Sequence, residues 1–156
     1  MSKYNFLYRD SVISKQRLGE YEAGHVFLEP SGLEASFFRG GLLTGCNNRV
    51  LITLEIGSVL SWAETDFTNR GIFVFSSSRY FRVLDVYRVG EYSQILMTPN
   101  VLEDDIKAEV IDAAQKDFYQ TFNKPPVQVL DTPAWRAKVK YILGSNRKTL
   151  KHHFDT

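Results

Sequence analysis

The chain has 156 residues, a length that fits one domain spanning residues 1–156. Its single cysteine, Cys46, excludes an intramolecular disulfide and favours a reducing compartment, so we expect a cytoplasmic protein. We find no apolar run typical of a signal peptide or a transmembrane helix, which predicts no membrane association. The net charge of +1 does not by itself indicate a partner.

The first part of the chain, residues 1–98, is rich in β-branched and aromatic residues between turn signals, which predicts strands. Residues 34–38 fit a strand or a helical turn equally well. The last three strands predict a meander, in which the first two flank a serine turn as a hairpin. The predicted strands cover residues 25–29, 49–56, 58–64, 71–76, 80–89 and 92–98.

The second part of the chain has helical periodicity. A helix over about 101–122 follows from an acidic start and an apolar stripe at every fourth residue, formed by Ile106, Val110, Ala114, Phe118 and Phe122. Thr132 as N-cap and Pro133 at the first position predict a second helix over 133–143, and a third helix is expected over 145–154. The fold class is therefore α+β, a mostly antiparallel sheet followed by C-terminal helices.

Four segments within residues 6–98 resemble the ADP-ribosyltransferase fold. "FLYRD" places Arg9 on an early strand, and "FLEPSGLEASFF" places Ser31 at the position of a family serine. "RVLITLEI" resembles the inner strand and "YFRVLDVYRV" the closing strand. The resemblance implies that Arg9 grips a nicotinamide dinucleotide, NAD, as the substrate.

The sequence departs from that family pattern at two points. The family has a catalytic Glu-x-Glu just before the segment "IFVF", but residues 68–71 contain no acid. The nearest acids are Glu64 and Asp66, which would need a shifted turn, and Glu29-Pro30-Ser31 replaces the family's Ser-Thr-Ser. The resemblance therefore implies either a transferase that uses Glu64 or a degenerate relative without the reaction.

Cys46, in the turn "LTGCNN", is a candidate nucleophile if a histidine activates it. Such a partner would have to be His25, His152 or His153. An isolated cysteine is more commonly a small core residue. Adjacent histidines on a helix point in different directions, and no other spacing predicts a metal site.

The segment 133–153 contains cations and no acid. Such segregation predicts a surface that contacts something negative, which is another protein or, as a second option, the phosphates of a nucleic acid. A solvated helix face is the structural alternative. The residues of this predicted basic surface are Arg136, Lys140, Arg147, Lys148 and Lys151.

The scarcity of catalytic motifs leads us to expect a small non-catalytic protein-interaction domain of the immunity, phage-derived or virion-assembly type, without a cofactor. One alternative is an ADP-ribosyltransferase-like NAD-binding protein or toxin, either active or degenerate. The other is nucleic-acid binding through the basic C-terminal helices. The candidate catalytic residues are Arg9, Ser31, Glu64 and Cys46.

Overall fold

The computed structural model describes residues 5–29, 33–54, 72–75, 79–99 and 108–139. Within these residues the chain is an α+β protein, as predicted. Its strands are β1 (Asn5–Ser11), β2 (Val26–Glu29), β3 (Leu33–Ser36), β4 (Asn48–Leu54), β5 (Ile72–Phe75), β6 (Arg79–Val89) and β7 (Tyr92–Thr98). Its helices are α1 (Lys15–Leu18), α2 (Ala108–Thr121) and α3 (Pro133–Val139).

The strands form one mixed sheet in the order β2-β6-β7-β4-β1-β3-β5. Neighbouring strands run antiparallel except for β4 and β7, which run parallel in the middle of the sheet. The prediction of a mostly antiparallel sheet missed this pair. Periodicity in the sequence identifies a strand but does not indicate the direction of its partner. Here the paired residues Val50 and Ile95 are more than 40 residues apart in the sequence.

The sheet is strongly curled, because the short connection from β2 to β3 joins strands that are far apart in the sheet order. A flat sheet would separate those two strands by about 24 Å. The four chain steps from Glu29 to Leu33 span at most about 14 Å. The connection from β5 to β6 is subject to the same limit. The two edges of the sheet, β2 and β5, therefore approach each other.

This curl corrects the predicted hairpin and meander. β6 and β7 do pair antiparallel across the Gly90 turn, where φ is 59°. β5 pairs with β3, and the described residues show no pairing between β5 and β6. β5, at one edge of the sheet, is thus followed in the chain by β6, which lies next to the opposite edge. Residues 34–36 of the undecided segment 34–38 belong to β3, and β1 was anticipated only through the family resemblance.

Side chains alternate between two faces of the sheet, and both faces are buried. The inner face of the curl carries the main apolar core, which includes Leu7, Phe27, Val50, Phe81 and Ile95. The outer face carries Phe6, Tyr8, Leu51 and Leu96, and α2 covers it with Val110 and Ala114. A core on both faces explains why consecutive residues in the middle of β4 (50–52) and of β7 (95–97) are apolar and buried.

The structure confirms the apolar stripe that predicted α2 and the capping residues that predicted α3. The hydroxyl of Thr132 accepts a hydrogen bond from the Trp135 N–H at 3.2 Å, as an N-cap does, and Pro133 begins α3. Val110, Ala114 and Phe118 form the buried stripe of α2. Residues 101–107, including Ile106, lie outside the described part of the chain, as does everything after Val139.

Gly41 lies directly against the chain that follows α2. It forms a bridge with Pro126, and its N–H donates to the Pro125 carbonyl at 3.1 Å. A Cβ at position 41 would lie 1.7 Å from the carbonyl oxygen of Lys124, a backbone atom that cannot rotate away. Only glycine allows these two segments to pack at this distance.

We predict that Gly41→Ala lowers the free energy of unfolding by about 2–3 kcal/mol, because the added methyl group forces the two backbones apart. Gly19→Ala is the matched control, since its Cβ would meet backbone atoms only at 3.4 and 3.6 Å. Urea denaturation of the two variants and the wild type measures the difference. Equal midpoints for both variants would contradict the close approach.

Candidate active site

Arg9, the residue that the family resemblance indicates, lies on the inner face of the curled sheet. Its guanidinium is 8% exposed and donates one hydrogen bond, from Nη1 to the Glu34 carbonyl at 2.8 Å. Its Nε has no partner among the described residues. Burial lowers the pKa of Arg9, and the carboxylates of Glu29 and Glu34 oppose that shift. Arg9 is thus a buried cation with a spare donor.

The end of β2 brings a second set of polar side chains to the same place. Glu29, the last residue of β2, is buried, and its charge acts on both Arg9 and Tyr21. The Arg17 guanidinium carbon lies 5.6 Å from the centre of the Tyr21 ring. We use the name Arg9 cleft for Arg9 together with the two residues whose charges act on it, Glu29 and Glu34.

The outer face of β1 carries a buried ion pair instead of a cleft. Arg49 donates from Nε and Nη2 to the two carboxylate oxygens of Asp10, at 2.7 and 3.0 Å. Its Nη1 donates to the hydroxyl of Thr121 on α2, and its guanidinium lies over the ring of Tyr8. Burial opposes the charge of Arg49, but Asp10 outweighs it and raises the pKa of Arg49. Each of the three guanidinium nitrogens of Arg49 has a partner within the fold, which indicates a structural role.

A recess beside that ion pair is too small for a substrate. It is lined by Tyr8, Asp10, Ser36, Leu43 and Trp135, among others, and holds about 10 Å³. That volume accommodates roughly one water molecule, whereas ligand pockets enclose about 300 Å³ or more. We therefore turn to Arg9 for the candidate site, because its buried Nε has no partner among the described residues.

Cys46 occupies a core position. It packs with Leu43, Leu130 and Val139, and burial, with the nearby Asp10 and Asp131 charges, raises the pKa of its thiol to about 11. An activated cysteine needs the opposite shift. No histidine is among the groups that act on the thiol within the described residues. These properties favour the structural role of Cys46 over the nucleophilic one.

Two cations of the segment 133–153, Arg136 of the predicted basic surface and its neighbour Lys138, have partners within the fold. Arg136 pairs with Asp131 at 2.8 Å, and Lys138 pairs with Glu34 on β3 at 2.7 Å. A segment without acids in the sequence therefore meets acids contributed by other segments. Lys140, Arg147, Lys148 and Lys151 lie outside the described residues, so their role in binding a partner stays a prediction.

Of the other predicted site residues, Ser31 and Glu64 also lie outside the described residues, as do Asp66, His152 and His153. Within the part of the chain that the structure describes, no cluster of His, Cys, Asp and Glu side chains has the arrangement of a metal site. Every helix there is too short or too polar to cross a bilayer. Sequence analysis missed Arg17, Tyr21 and Glu29, for which the only local signal is the helical spacing of Arg17 and Tyr21.

Comparison with known proteins gives matches only among solved structures. No protein-family model matches the chain, and no curated protein matches it. Exoenzyme S from Pseudomonas aeruginosa, solved with carba-NAD and human 14-3-3 protein beta, matches at 11% identity over 73% of this chain and 58% of its own, with a TM-score of 0.43. The ADP-ribosyltransferase HopU1 of Pseudomonas syringae matches at 11% identity, over 61% of this chain and 44% of its own, with a TM-score of 0.45.

A third match is the Vis toxin, an ADP-ribosyltransferase from Vibrio splendidus. Its identity is 18%, it covers 69% of this chain and 51% of its own, and its TM-score is 0.42. This chain thus spans about half the length of the structures it matches. The weak, partial resemblance to the ADP-ribosyltransferase fold, first drawn from residues 6–98, is confirmed.

These matches correct the expected function. The prediction of a non-catalytic interaction domain of the immunity, phage or virion-assembly type is wrong, because the matching structures are toxins and effectors of the ADP-ribosyltransferase type. That prediction was drawn from the absence of motifs. An absence of motifs cannot distinguish a protein without a site from one whose site has diverged.

We predict that Asp10→Asn costs about 3–5 kcal/mol of stability, because it leaves the Arg49 charge buried without its partner. Asp112→Asn is the matched control. It removes the same charge from the pair with Lys116, whose side chains are 62% and 71% exposed, and should cost about 0.5 kcal/mol or less. Chemical denaturation measures both, and a cost for Asp10→Asn near that of the control would contradict the assigned structural role.

Proposed function

We propose that the chain is an ADP-ribosyltransferase-like protein that binds NAD in the Arg9 cleft. The observation that carries this proposal is the state of Arg9, a residue that is 8% exposed and keeps a guanidinium donor, Nε, without a partner among the described residues. Buried polar groups usually find partners within the fold. An anionic ligand supplies the partner that Arg9 lacks.

The position of Arg9 supports the same proposal. Arg9 is connected to the end of β2 and the start of β3, because the charge of Glu29 acts on it and the Glu34 carbonyl accepts its hydrogen bond. The segment between them, residues 30–32, contains Ser31, which the resemblance places beside the ligand. A planar guanidinium presents paired donors that match two phosphate oxygens. Arg9 would therefore hold the diphosphate.

Transfer of ADP-ribose needs a carboxylate in addition to Arg9. Positive charge develops at the ribose carbon as nicotinamide leaves, and a fixed negative group stabilises that charge. The family position for this group, residues 68–71, has no acid. We propose Glu64 for the role, because Glu64 and Asp66 are the nearest acids in the sequence before β5.

We predict that the wild-type chain binds NAD and that Arg9→Gln weakens binding on the order of a hundredfold, since hydrogen bonds to charged groups contribute about 1.5–3 kcal/mol each. Arg9→Lys keeps the charge without the planar fork and should give an intermediate affinity. Isothermal calorimetry measures all three proteins. Thermal unfolding of each variant confirms that it is folded, and NAD binding by a folded Arg9→Gln at wild-type affinity would refute the role of Arg9.

We further predict that Glu64→Gln lowers the release of nicotinamide from NAD by about 10²–10³-fold, the effect of losing one group that stabilises charge in the transition state. Binding should change little, because the carboxylate acts on charge that the ground state lacks. Asp66→Asn is the matched control with an adjacent acid. A large loss in Asp66→Asn, with none in Glu64→Gln, would assign the role to Asp66 instead.

A further inference from the structure

Strand β6 is paired along its whole length on one side and along less than half of its length on the other. It has 11 residues, and β7 pairs with it along residues 82–89. On the opposite side β2 pairs only with residues 79–82, and backbone hydrogen bonds from Gly24 and His25 to Val83 end the contact. The His25 N–H also donates to the Glu22 carbonyl at 3.1 Å, which closes a turn and ends the extended chain beside β6. Among the described residues, no strand pairs with residues 84–89 on this side.

The exposure of the side chains agrees with an open edge. Every residue from Ser93 to Thr98 on β7, which lies between two strands, is buried. On β6, Phe81 and Val83 beside β2 are 0% and 1% exposed, whereas none of residues 84–89 is buried. The exposed fraction along β6 therefore rises where β2 ends. We name residues 84–89 the open edge of β6.

The turn into β7 determines which backbone groups the open edge presents. Gly90 has a φ of 59°, and Val89 pairs with Tyr92 across it, which fits a two-residue turn of type II′ with glycine first. In such a turn the N–H and C=O of Val89 bond to Tyr92, so those of Val86 and Arg88 face away from β7 by alternation along the strand. Unpaired groups at a sheet edge are a template for another extended chain.

Helix α2 forms a wall beside the open edge. Gln115 donates from Nε2 to the carboxylate of Asp85 at 3.0 Å, and the ring of Tyr87 meets the edge of the Phe118 ring with centroids 6.2 Å apart. These two contacts place the helix over β6. A helix with its side chains is about 10 Å wide, and neighbouring strands lie about 4.8 Å apart. The flank of α2 therefore extends over the position that an added strand beside β6 would take.

That flank presents an exposed aromatic side chain. Ile111, Gln115 and Tyr119 follow one another at intervals of four residues, so they lie on one face of α2. Ile111 and Gln115 are half-buried, whereas Tyr119 is 62% exposed and contacts the ring of Phe122 with centroids 6.4 Å apart. Aromatic residues are enriched in protein interfaces, where a ring anchors the contact.

We propose that the open edge of β6 and this flank of α2 form a docking groove for an extended segment of another protein. The segment pairs with the backbone of Val86 and Arg88 as an added strand, and its apolar side chains at alternate positions pack against Tyr119. Arg88 is exposed and has no acidic partner among the described residues, so charge complementarity favours an acidic residue opposite it. The groove is separate from the Arg9 cleft and adds to the proposed function without replacing it.

A phage-displayed library of random linear peptides supplies the probes, and fluorescence anisotropy measures the affinity of each selected peptide. We expect selected sequences with alternating apolar residues and an acid. Tyr119→Ala should weaken them about tenfold, the loss of one aromatic anchor. Val129→Ala, at a 64% exposed apolar residue between α2 and α3, should bind as the wild type does. Arg88→Glu should also weaken acidic peptides about tenfold, and Lys15→Glu, at an exposed cation on α1, should change little.

N-methylation of the selected peptides tests, with the wild-type chain, whether they bind as a strand. Alternate amides of an added strand donate to β6, so methyl groups on one alternate set should abolish binding and those on the other set should preserve it. Equal effects of the two sets, or the recovery of no peptide whose affinity depends on Tyr119 and Arg88, would refute the groove. A dimer of the chain in light scattering that dissociates in Arg88→Glu would assign the open edge to a second copy and would also refute it. Thermal unfolding confirms that each variant is folded.

Discussion

The buried ion pair between Asp10 and Arg49 is the interaction on which the rest of the fold depends. It joins β1 to β4, and its remaining groups reach Thr121 on α2 and the Leu43 N–H in the loop before β4. One pair of charges thus fixes two central strands, a covering helix and a loop. Because burial makes an unpaired charge so costly, few arrangements of these four elements satisfy both groups. We infer that the pair selects this packing and excludes others.

The packing around this ion pair also determines which face of β1 can hold a ligand-binding site. Alternation along β1 directs Tyr8 and Asp10 toward α2 and directs Arg9 into the curl. The outer face has its polar groups satisfied within the fold and offers only a recess of about 10 Å³. The inner face receives the end of β2 because the curl brings the sheet edges together. Adjacent residues of one strand therefore have opposite roles, Asp10 in stability and Arg9 at the cleft.

Features governed by neighbouring residues were predictable from the sequence, and features governed by distant pairing were not. Thr132 and Pro133 identified the start of α3, because capping is a contact between residues three apart. The strands β4, β6 and β7 followed from their β-branched and aromatic content. No local sequence feature indicates that β4 pairs in parallel with β7, or that β5 pairs with β3 instead of β6.

The same division applies to the candidate site. Arg9 was found through its resemblance to a family motif, which preserves local sequence around the residue. Glu29 and Glu34, whose charges act on Arg9, belong to β2 and β3, and no local sequence signal relates them to β1. The pairing of Lys138 with Glu34 shows the same effect for charge. In the sequence, the cations of segment 133–153 are separated from acids, but in the fold Lys138 contacts an acid on strand β3. The charge pattern of the sequence therefore did not predict the charges around Lys138.

The parallel pairing of β4 with β7 has a consequence for the order in which the chain acquires its structure during synthesis. β1 and β4 are both available once residue 54 has emerged, but β4 then has one open edge of unpaired backbone groups. Its second neighbour, β7, ends at Thr98, so that edge stays open while more than 40 further residues are made. An apolar open edge is prone to pair with other chains. The nascent protein is therefore most at risk of aggregation in this interval, before its central strand is closed.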